Sequence, residues 1–516
     1  MGEAIRDRDW AIALGVLLVA ALVRLVLGAI VPLVPDETYY WEWSRRLAPG
    51  YFDHPPAIAL LIRGGTALLG DTPLGVRLLP QIAGLVATLA CLRLAALLGG
   101  PVAARRAALV MVALPIAAIG LIVATPDAPL LMMAALTLLA MVQAVRADPR
   151  GWSSFGWWIV AGVCLGLAFV SKYTAVLLPL GASIAMSSHR DLRPQLTRPG
   201  PYVAGLLAIA VTTPVVVWNA RHGWASFAFQ LNHGLRTGRG SPLPRELDYV
   251  GGIALLATPI VFALLAIAVG RALRKRFGPE PYLLGVIAVT WVAFFAYTSW
   301  RHRPEANWAA PALLAAVPLL ALGDTMGRAI SKLRSGIALG LGVTIVGCAG
   351  LAFPAALPSA ARRAFARSFD WDPVALGVTL ARSELSGRHL PVSRVSGHSL
   401  GGGSSTAPQF PWLAADRYQL ASELAFRLAD RPIVFSLNFG GRPNQYDYWP
   451  GFPERATIGD DLLLVLEERP ESRSVVGMAQ PYFESVSRAE SPIADGHQLW
   501  YLHRWRGGWP RPRPRP

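Results

Sequence analysis

Two short polar stretches hold the residue types that could exchange a proton or bind an anion: Pro35-Asp36-Glu37-Thr38-Tyr39-Tyr40-Trp41 and Gly50-Tyr51-Phe52-Asp53-His54-Pro55-Pro56. A carboxylate in reach of a hydroxyl can act as a general base. A histidine can offer a donor to an anion, with a charge that changes near neutral pH. Both stretches follow the apolar run Trp10 to Val34. Ionisable groups held at a membrane exit are costly and call for a functional explanation first.

Further along lie Asp127 in Thr125-Pro126-Asp127-Ala128-Pro129 and Lys172 in Ser171-Lys172-Tyr173, with the cations Arg77, Arg221, His222, Arg301, His302 and Arg303. Together these describe a cationic, carboxylate-containing cleft suited to an anionic lipid headgroup. Each also has a purely structural reading. Asp36, Asp53 and Asp127 could cap helices, Pro56 could open one, and Lys172 could snorkel from a helix end. Arg24, inside the first apolar run, must snorkel, pair or meet a lipid phosphate. By ligand type alone, Asp53, His54 and Asp127 could also hold a divalent metal; nothing else in the chain points to a cofactor.

The elements that must position these groups are mostly membrane helices. The chain has 516 residues, of which 53% are hydrophobic and 16% charged. The apolar residues come in long blocks, the pattern of a polytopic membrane protein. Candidate spans are 10–34, 74–98, 106–124, 128–146, 157–170, 173–188, 202–218, 250–270, 282–299, 308–322 and 336–357, eleven in all. The first is too long for a signal-peptide core and reads as a retained anchor. The net charge of +16 is spread over short loops, with no basic stripe interleaved with stacking aromatics, so nucleic acid is not an expected partner. Arg105/Arg106, Arg146/Arg150, Arg190/Arg193/Arg198 and Arg271/Arg274/Lys275/Arg276 fall in alternate loops, which the positive-inside rule assigns to the cytoplasm. The polar stretches, the Asp127 and Lys172 turns, loop 300–307 and the tail then share the opposite face. Cys91, Cys164 and Cys348 lie in apolar runs and suggest neither disulfides nor a metal site.

The expected fold class is an all-α polytopic membrane domain with a small C-terminal α/β soluble domain. Its expected boundaries are 1–357, including an outer loop 35–73, then 358–508, then a disordered Pro/Arg tail 509–516. Within the second domain, Asp416 to Leu428 has helical spacing, whereas Ile433 to Leu437, Leu462 to Leu466 and Leu499 to Leu502 read as strands. Gly401 to Ser405 reads as a flexible loop.

The motif Pro35-Asp36-Glu37-x-Tyr39-Tyr40, followed by Gly50-Tyr51-x-Asp53-His54-Pro55-Pro56, resembles the first outer loop of the glycosyltransferase family 39 proteins. These are the protein O-mannosyltransferases and related lipid-carrier-dependent bacterial enzymes, with the aminoarabinose transferases more distant. The resemblance continues in Pro126-Asp127-Ala128-Pro129, Ser171-Lys172-Tyr173, Trp218-Asn219, Glu305-x-Asn307-Trp308 and Asn444-Gln445-Tyr446-Asp447. It implies a GT-C fold of about 11 transmembrane helices and inverting transfer from a polyprenyl-phosphate sugar on the outer side of the membrane. Asp36 matches the family's catalytic carboxylate, Glu37 its neighbour and Asp127 the acidic residue of the second outer loop. Asp53-His54 stands where aminoarabinose transferases carry Glu-Lys, the lysine contacting the donor phosphate. The implied setting is a bacterial inner membrane, with the site and the tail domain facing the periplasm.

The chemistry is coherent with that resemblance. Attack of a hydroxyl on an anomeric carbon needs one base on the face opposite the leaving group. A lipid phosphate with a second pKa of ~6 leaves with cations beside it and needs no general acid. Asp36 is then the base, with Glu37 beside it. His54, Asp53, Arg77, Asp127, Lys172, Arg301 and Arg303 are the expected donor-phosphate and substrate contacts. The acceptor could be a lipid, a glycan or a protein hydroxyl. The rival readings are a transporter or flippase for a lipid-linked sugar, and a membrane-anchored binding protein whose tail domain carries the function. An ion-coupled transporter would place carboxylates near mid-membrane, whereas these acids cluster at one interface.

Overall fold

The computed structural model describes residues 2–148, 151–235, 241–323, 329–385, 411–439, 441–469, 472–490 and 496–509. The Gly401 to Ser405 loop and the tail from 510 onward lie outside these residues. The chain divides into two compact units, Met1–Val31 with Leu47–Ala356, and Pro32–Arg46 with Leu357–Pro516. Residues 32–46, which sequence order places among the spans, therefore pack with the C-terminal segment.

In chain order the helices begin with α1 (Gly2–Ile30), α2 (Pro35–Arg45), α3 (Ala57–Leu69), α4 (Pro73–Ala113), the single turn α5 (Pro115–Ala118), α6 (Asp127–Arg146) and α7 (Trp152–Ser171). They continue as α8 (Leu177–Ser188), α9 (Pro199–Arg221), α10 (Ala225–Leu235), α11 (Pro242–Ala257), α12 (Pro259–Ala272), α13 (Pro279–Arg301), α14 (Ala310–Ala321) and α15 (Ala329–Ala352). All but α2 belong to the first unit. Among the described residues, seven helices are long and apolar enough to cross a bilayer, and the α11–α12 pair, bent by 101°, could make an eighth. Three further apolar helices, Ala57–Leu69, Tyr173–Ser188 and Ala306–Ala321, are shorter.

The count of eleven spans is thus not confirmed among the described residues, for local reasons. The expected 106–124 span stops at Ala113, because Leu114 precedes Pro115 and takes an extended conformation. Gly99 and Gly100 break α4, Gly100 with φ +72°, a conformation open to glycine. Thr258, before Pro259, takes φ +62° and splits the 250–270 run. The lipid-facing side of α1 shows Leu14, Leu18, Val19, Leu22, Val23, Val26 and Ile30 at 44–62% exposure. An apolar face of that extent suits hydrocarbon rather than water, and the chain is a multi-pass membrane protein. Its opposite face enters a core of small side chains, including Ala87, Ala90, Ala95, Ala134 and Ala135, which let α1, α4 and α6 approach closely.

The second unit contains α2 and α16 (Ser359–Phe369), α17 (Asp372–Leu385), α18 (Tyr418–Arg427) and α19 (Ser472–Ala479). Its strands are β1 (Trp412–Ala415), β2 (Val434–Ser436), β3 (Leu462–Glu467), β4 (Phe483–Arg488) and β5 (His497–Trp505), in the order β2-β1-β3-β5-β4. β1 pairs in parallel with β2 and β3, while β5 runs antiparallel to β3 and β4. Every residue of β3 from Leu462 to Leu466 is buried, as expected of a central strand covered on both faces. The helix 416–428 and the strands near 433, 462 and 499 are present at slightly shifted bounds. β1, β4 and three of the helices were not anticipated.

Candidate functional site

In the first unit the end of α7 meets the start of α6. Lys172 follows α7 in extended conformation, and its Nζ lies 2.7 Å from Asp127 Oδ1. Asp127 is the first residue of α6, after Pro126. Its carboxylate turns to Lys172 rather than to the first-turn amides, so it does not act as the cap that its position suggests. The second oxygen accepts from Asn307 Nδ2 at 3.2 Å. Asn307 lies on the 3-10 turn Ala306–Ala309, and the ring of its neighbour Trp308 lies 5.8 Å from Lys172 Nζ. Trp308 is in turn fixed through its carbonyl, which accepts from Trp291 Nε1 at 2.9 Å.

The turn that carries Lys172 is latched on its other side. Tyr173 shares a 2.9 Å hydrogen bond with Ser226, and its hydroxyl also accepts from Asn219 Nδ2 at 3.3 Å. Asn219, fully buried near the end of α9, accepts from the Phe227 amide with its remaining oxygen. A cation held this way by α6, α7 and the turn before α14 needs little reorganisation to meet a phosphate oxygen.

Asp53 and His54 sit in the turn before α3. The Asp53 carbonyl accepts from Gln230 Nε2 at 2.5 Å, the His54 carbonyl accepts from the Tyr51 amide at 3.3 Å, and Phe52 packs on Phe229. Asp53 is buried. Among the described residues, no three His, Cys, Asp or Glu side chains group closely enough to hold a metal, so Asp53, His54 and Asp127 do not form the ligand set that their types allow.

The arginines fall into different surroundings. Arg77, expected as an outer cation, is fully buried; its guanidinium donates to the Gly28 and Val31 carbonyls at 3.2 and 2.5 Å. It therefore satisfies acceptors that the end of α1 leaves open. Arg301 lies over the Tyr297 ring, and Arg303 forms an exposed ion pair with Asp248.

In the second unit, α2 carries Asp36 and Glu37 in its first turn. Glu37 is fully buried and accepts from the Val34 amide at 3.1 Å, so it is Glu37 that closes the helix start. Asp36 is exposed and takes no hydrogen bond among the described residues. Solvent can reach it, yet the dense protein around it raises its carboxyl above the ordinary range; Arg442 offsets this, and Glu37 adds to it. A carboxylate that is accessible, unbonded and made more basic has the properties of a proton acceptor.

The residues from Glu37 to Ser44 are all buried. Tyr39 accepts from the Gln445 amide at 2.6 Å and stacks on Tyr446, and Arg46 covers Trp449. Asn307, Arg442 and the α18 residues that touch α2 were not singled out as site residues. Asn307 lies within a quoted motif, and Glu423 is an acid on the apolar face that Leu420 and Leu424 define; these were the signals available.

Residues 53–218 match the sequence model of the dolichyl-phosphate-mannose-protein mannosyltransferase family. The chain is 28% identical over 322 residues to the lipid A galacturonosyltransferase RgtD of Rhizobium johnstonii, covering 62% of this chain and 65% of that one. It is 31% identical over 223 residues to the undecaprenyl phosphate-alpha-4-amino-4-deoxy-L-arabinose arabinosyl transferase of Pseudomonas savastanoi pv. phaseolicola, covering 40% and 41%. Each match therefore spans less than two thirds of the relative's length. The crystal structure of ArnT from Cupriavidus metallidurans bound to undecaprenyl phosphate superposes with a TM-score of 0.63 over 96% of this chain and 99% of that one, at 16% identity, which establishes a shared fold.

Proposed function

We propose that this chain is a GT-C-type glycosyltransferase that moves a sugar from a polyprenyl phosphate to a hydroxyl of a lipid A-type glycolipid at the periplasmic face of the bacterial inner membrane. The observation that carries the reading is the Lys172–Asp127–Asn307 arrangement, a cation fixed by two partners from separate elements. Phosphate departure requires a cation of this kind. The relatives' names, one a lipid A galacturonosyltransferase and the other an undecaprenyl-phosphate arabinosyl transferase, favour a glycolipid acceptor and a polyprenyl-phosphate donor.

In this reading the Asp36 carboxylate takes the proton of the acceptor hydroxyl as its oxygen attacks the anomeric carbon. The bond from that carbon to the phosphate oxygen breaks, and the phosphate keeps the electron pair. Attack opposite the leaving group inverts the anomeric centre. Lys172 meets the charge that grows on the phosphate, and Asp127 with Asn307 holds Lys172 in place. Asp53-His54 contributes a second donor. Glu37 acts by shaping the first turn of α2, and the half-buried Arg301 and the exposed Arg303 contact headgroups. No step calls for a metal.

The test is mass spectrometry of lipid A from cells carrying the wild type, Asp36→Asn or Lys172→Ala. The wild type should add a mass increment of one sugar, and both variants should lose it. An Asp36→Asn protein that is stably inserted and transfers at the wild-type rate would sink the assignment.

A further inference from the structure

The first turn of α2 is gripped from α18, more than 380 residues further along the chain. Thr38 Oγ1 approaches Glu423 Oε1 at 3.3 Å and Ser422 Oγ at 3.0 Å, and it lies 3.1 Å from its own Pro35 carbonyl. Ser422 Oγ also reaches that Pro35 carbonyl at 3.4 Å. Arg427 Nη2 donates to the Leu33 carbonyl at 3.4 Å, while its Nε donates to Glu423 Oε2 at 2.8 Å. The two carboxylate oxygens of Glu423 thus divide their work, one towards Thr38 on α2 and one towards Arg427 on α18. The main chain on the N-terminal side of Asp36 is gripped at Leu33 and Pro35, and the helix on its C-terminal side is gripped at Thr38.

We propose that Glu423, with Ser422 and Arg427, is a positioning residue that sets the direction of the Asp36 carboxylate, making the C-terminal unit part of the catalytic machinery. This rests on the reading of Asp36 as the base. Glu423 and Ser422 are fully buried. A buried acid of this kind is retained only where it is bonded, because burying it alone is costly. Its bonds run to the segment that presents Asp36. The outer turns of α2 are fastened as well, by Arg45 to the Arg431 carbonyl at 2.9 Å and by Tyr39 to the Gln445 amide. Loss of the Glu423 contact therefore loosens the first turn while the rest of α2 stays docked. The consequence for the reaction is specific: a misdirected base slows proton removal, whereas donor and acceptor binding is little affected. A placement error near 1 Å can cost on the order of 10²-fold in rate.

The experiment uses the purified full chain in lipid nanodiscs, with lipid A as acceptor and a bacterial membrane lipid extract as donor source. Glu423→Ala should lower kcat by about 10- to 100-fold while the apparent KM for lipid A stays within about twofold. Hydrogen–deuterium exchange of the 33–45 peptide should become faster in the same protein. Glu423→Gln, whose amide oxygen can still accept from Thr38, should recover most of both, and Thr38→Val should reproduce the alanine phenotype. Wild-type exchange across 33–45 in Glu423→Ala would overturn the proposal, as would a rise in KM at unchanged kcat. Asp36→Asn, run in parallel, keeps the two readings apart. If it is active, the base assignment fails while the exchange result still decides whether α18 orders α2. If it is inactive with wild-type exchange, any kcat loss in Glu423→Ala is traced to position rather than to chemistry.

Discussion

Lys172 Nζ and Asp127 Oδ1 are 2.7 Å apart, and the remaining Asp127 oxygen is taken by Asn307. Neither member of the ion pair is strongly exposed, with side chains at 10% and 16%. Such a pair differs from a surface salt bridge, which contributes little. Here the carboxylate has a partner on each oxygen, so the lysine is kept in one rotamer and presents its other two N–H groups.

Lys172→Ala should therefore lower transfer by ~10²-fold, the scale seen when one preorganised donor to a developing anion is removed. Asp127→Asn should cost less, since the ammonium remains but is held more loosely. The double variant should be no worse than Lys172→Ala alone, because residues that work as a unit are not additive. Initial rates of lipid A modification in the four proteins check this. Fully additive losses would show that the two residues act independently.

Asp36 must be deprotonated to accept a proton, and the dense protein around its solvent-reachable carboxyl raises its pKa. Activity should therefore rise with pH through a limb placed above the ordinary carboxylate range. Arg442 favours the charged form. Replacing it in Arg442→Gln raises the Asp36 pKa further and moves the acid limb of kcat/KM to higher pH, with the greatest loss at the acid end. Arg442 is solvent-exposed, so screening by salt limits the displacement. A limb that stays in place, or moves to lower pH, argues against Asp36 as the titrating base.

Arg77 separates a structural role from a substrate-binding one. Arg77→Met keeps the apolar stem and removes two hydrogen bonds to the Gly28 and Val31 carbonyls. With hydrogen bonds to charged groups at about 1.5–3 kcal/mol each, destabilisation of about 3 kcal/mol or more is expected. The thermal midpoint in detergent should fall, with the apparent donor KM unchanged in the protein that remains folded. An unchanged midpoint with a raised donor KM would return Arg77 to the phosphate site.

How much of this was legible in the chain follows the range of each interaction. Apolar runs of about spanning length reported the long helices, because one local property, hydrocarbon solubility, decides them. The breaks at Gly99-Gly100 and Thr258-Pro259 are also local, yet they fall inside runs whose composition never drops, so composition alone does not locate them. Arg77 looked like an outer cation because nothing near it in sequence says that it meets carbonyls 46 and 49 residues earlier. β1, Trp-Leu-Ala-Ala, has weak strand propensity and exists because β2 and β3 flank it. Asp127 and Lys172 could each be named from turn composition, but their pairing and the part played by Asn307 could not. The docking of α2 on α18 joins Thr38 to a residue 385 positions away, a relationship with no local signature beyond an acid placed on an apolar helix face.

That acid makes the last prediction. Burial pushes the Glu423 carboxyl up from its ordinary 4.5 to about 7, although Arg427 and the Thr38 hydroxyl pull it down; Glu37 on α2 adds repulsion. Arg427 moves the other way from a buried cation: burial lowers it, but Glu423 and Asp372 together more than offset that, so it stays charged. The asymmetry is physical, since the guanidinium faces two carboxylates while Glu423 faces one cation and another acid. A folded-state pKa above the unfolded one means that the native protein binds more protons between about 4.5 and 7. Stability of this unit therefore falls as pH rises through that window and levels off above it. Glu423→Gln has no proton to lose there and should flatten the slope, making the variant relatively more stable at pH 8 than at pH 5. Apparent unfolding midpoints followed by tryptophan fluorescence across pH 4 to 9 decide the matter. An identical slope in both proteins would mean that Glu423 stays ionised in the folded state and that Arg427 outweighs its burial.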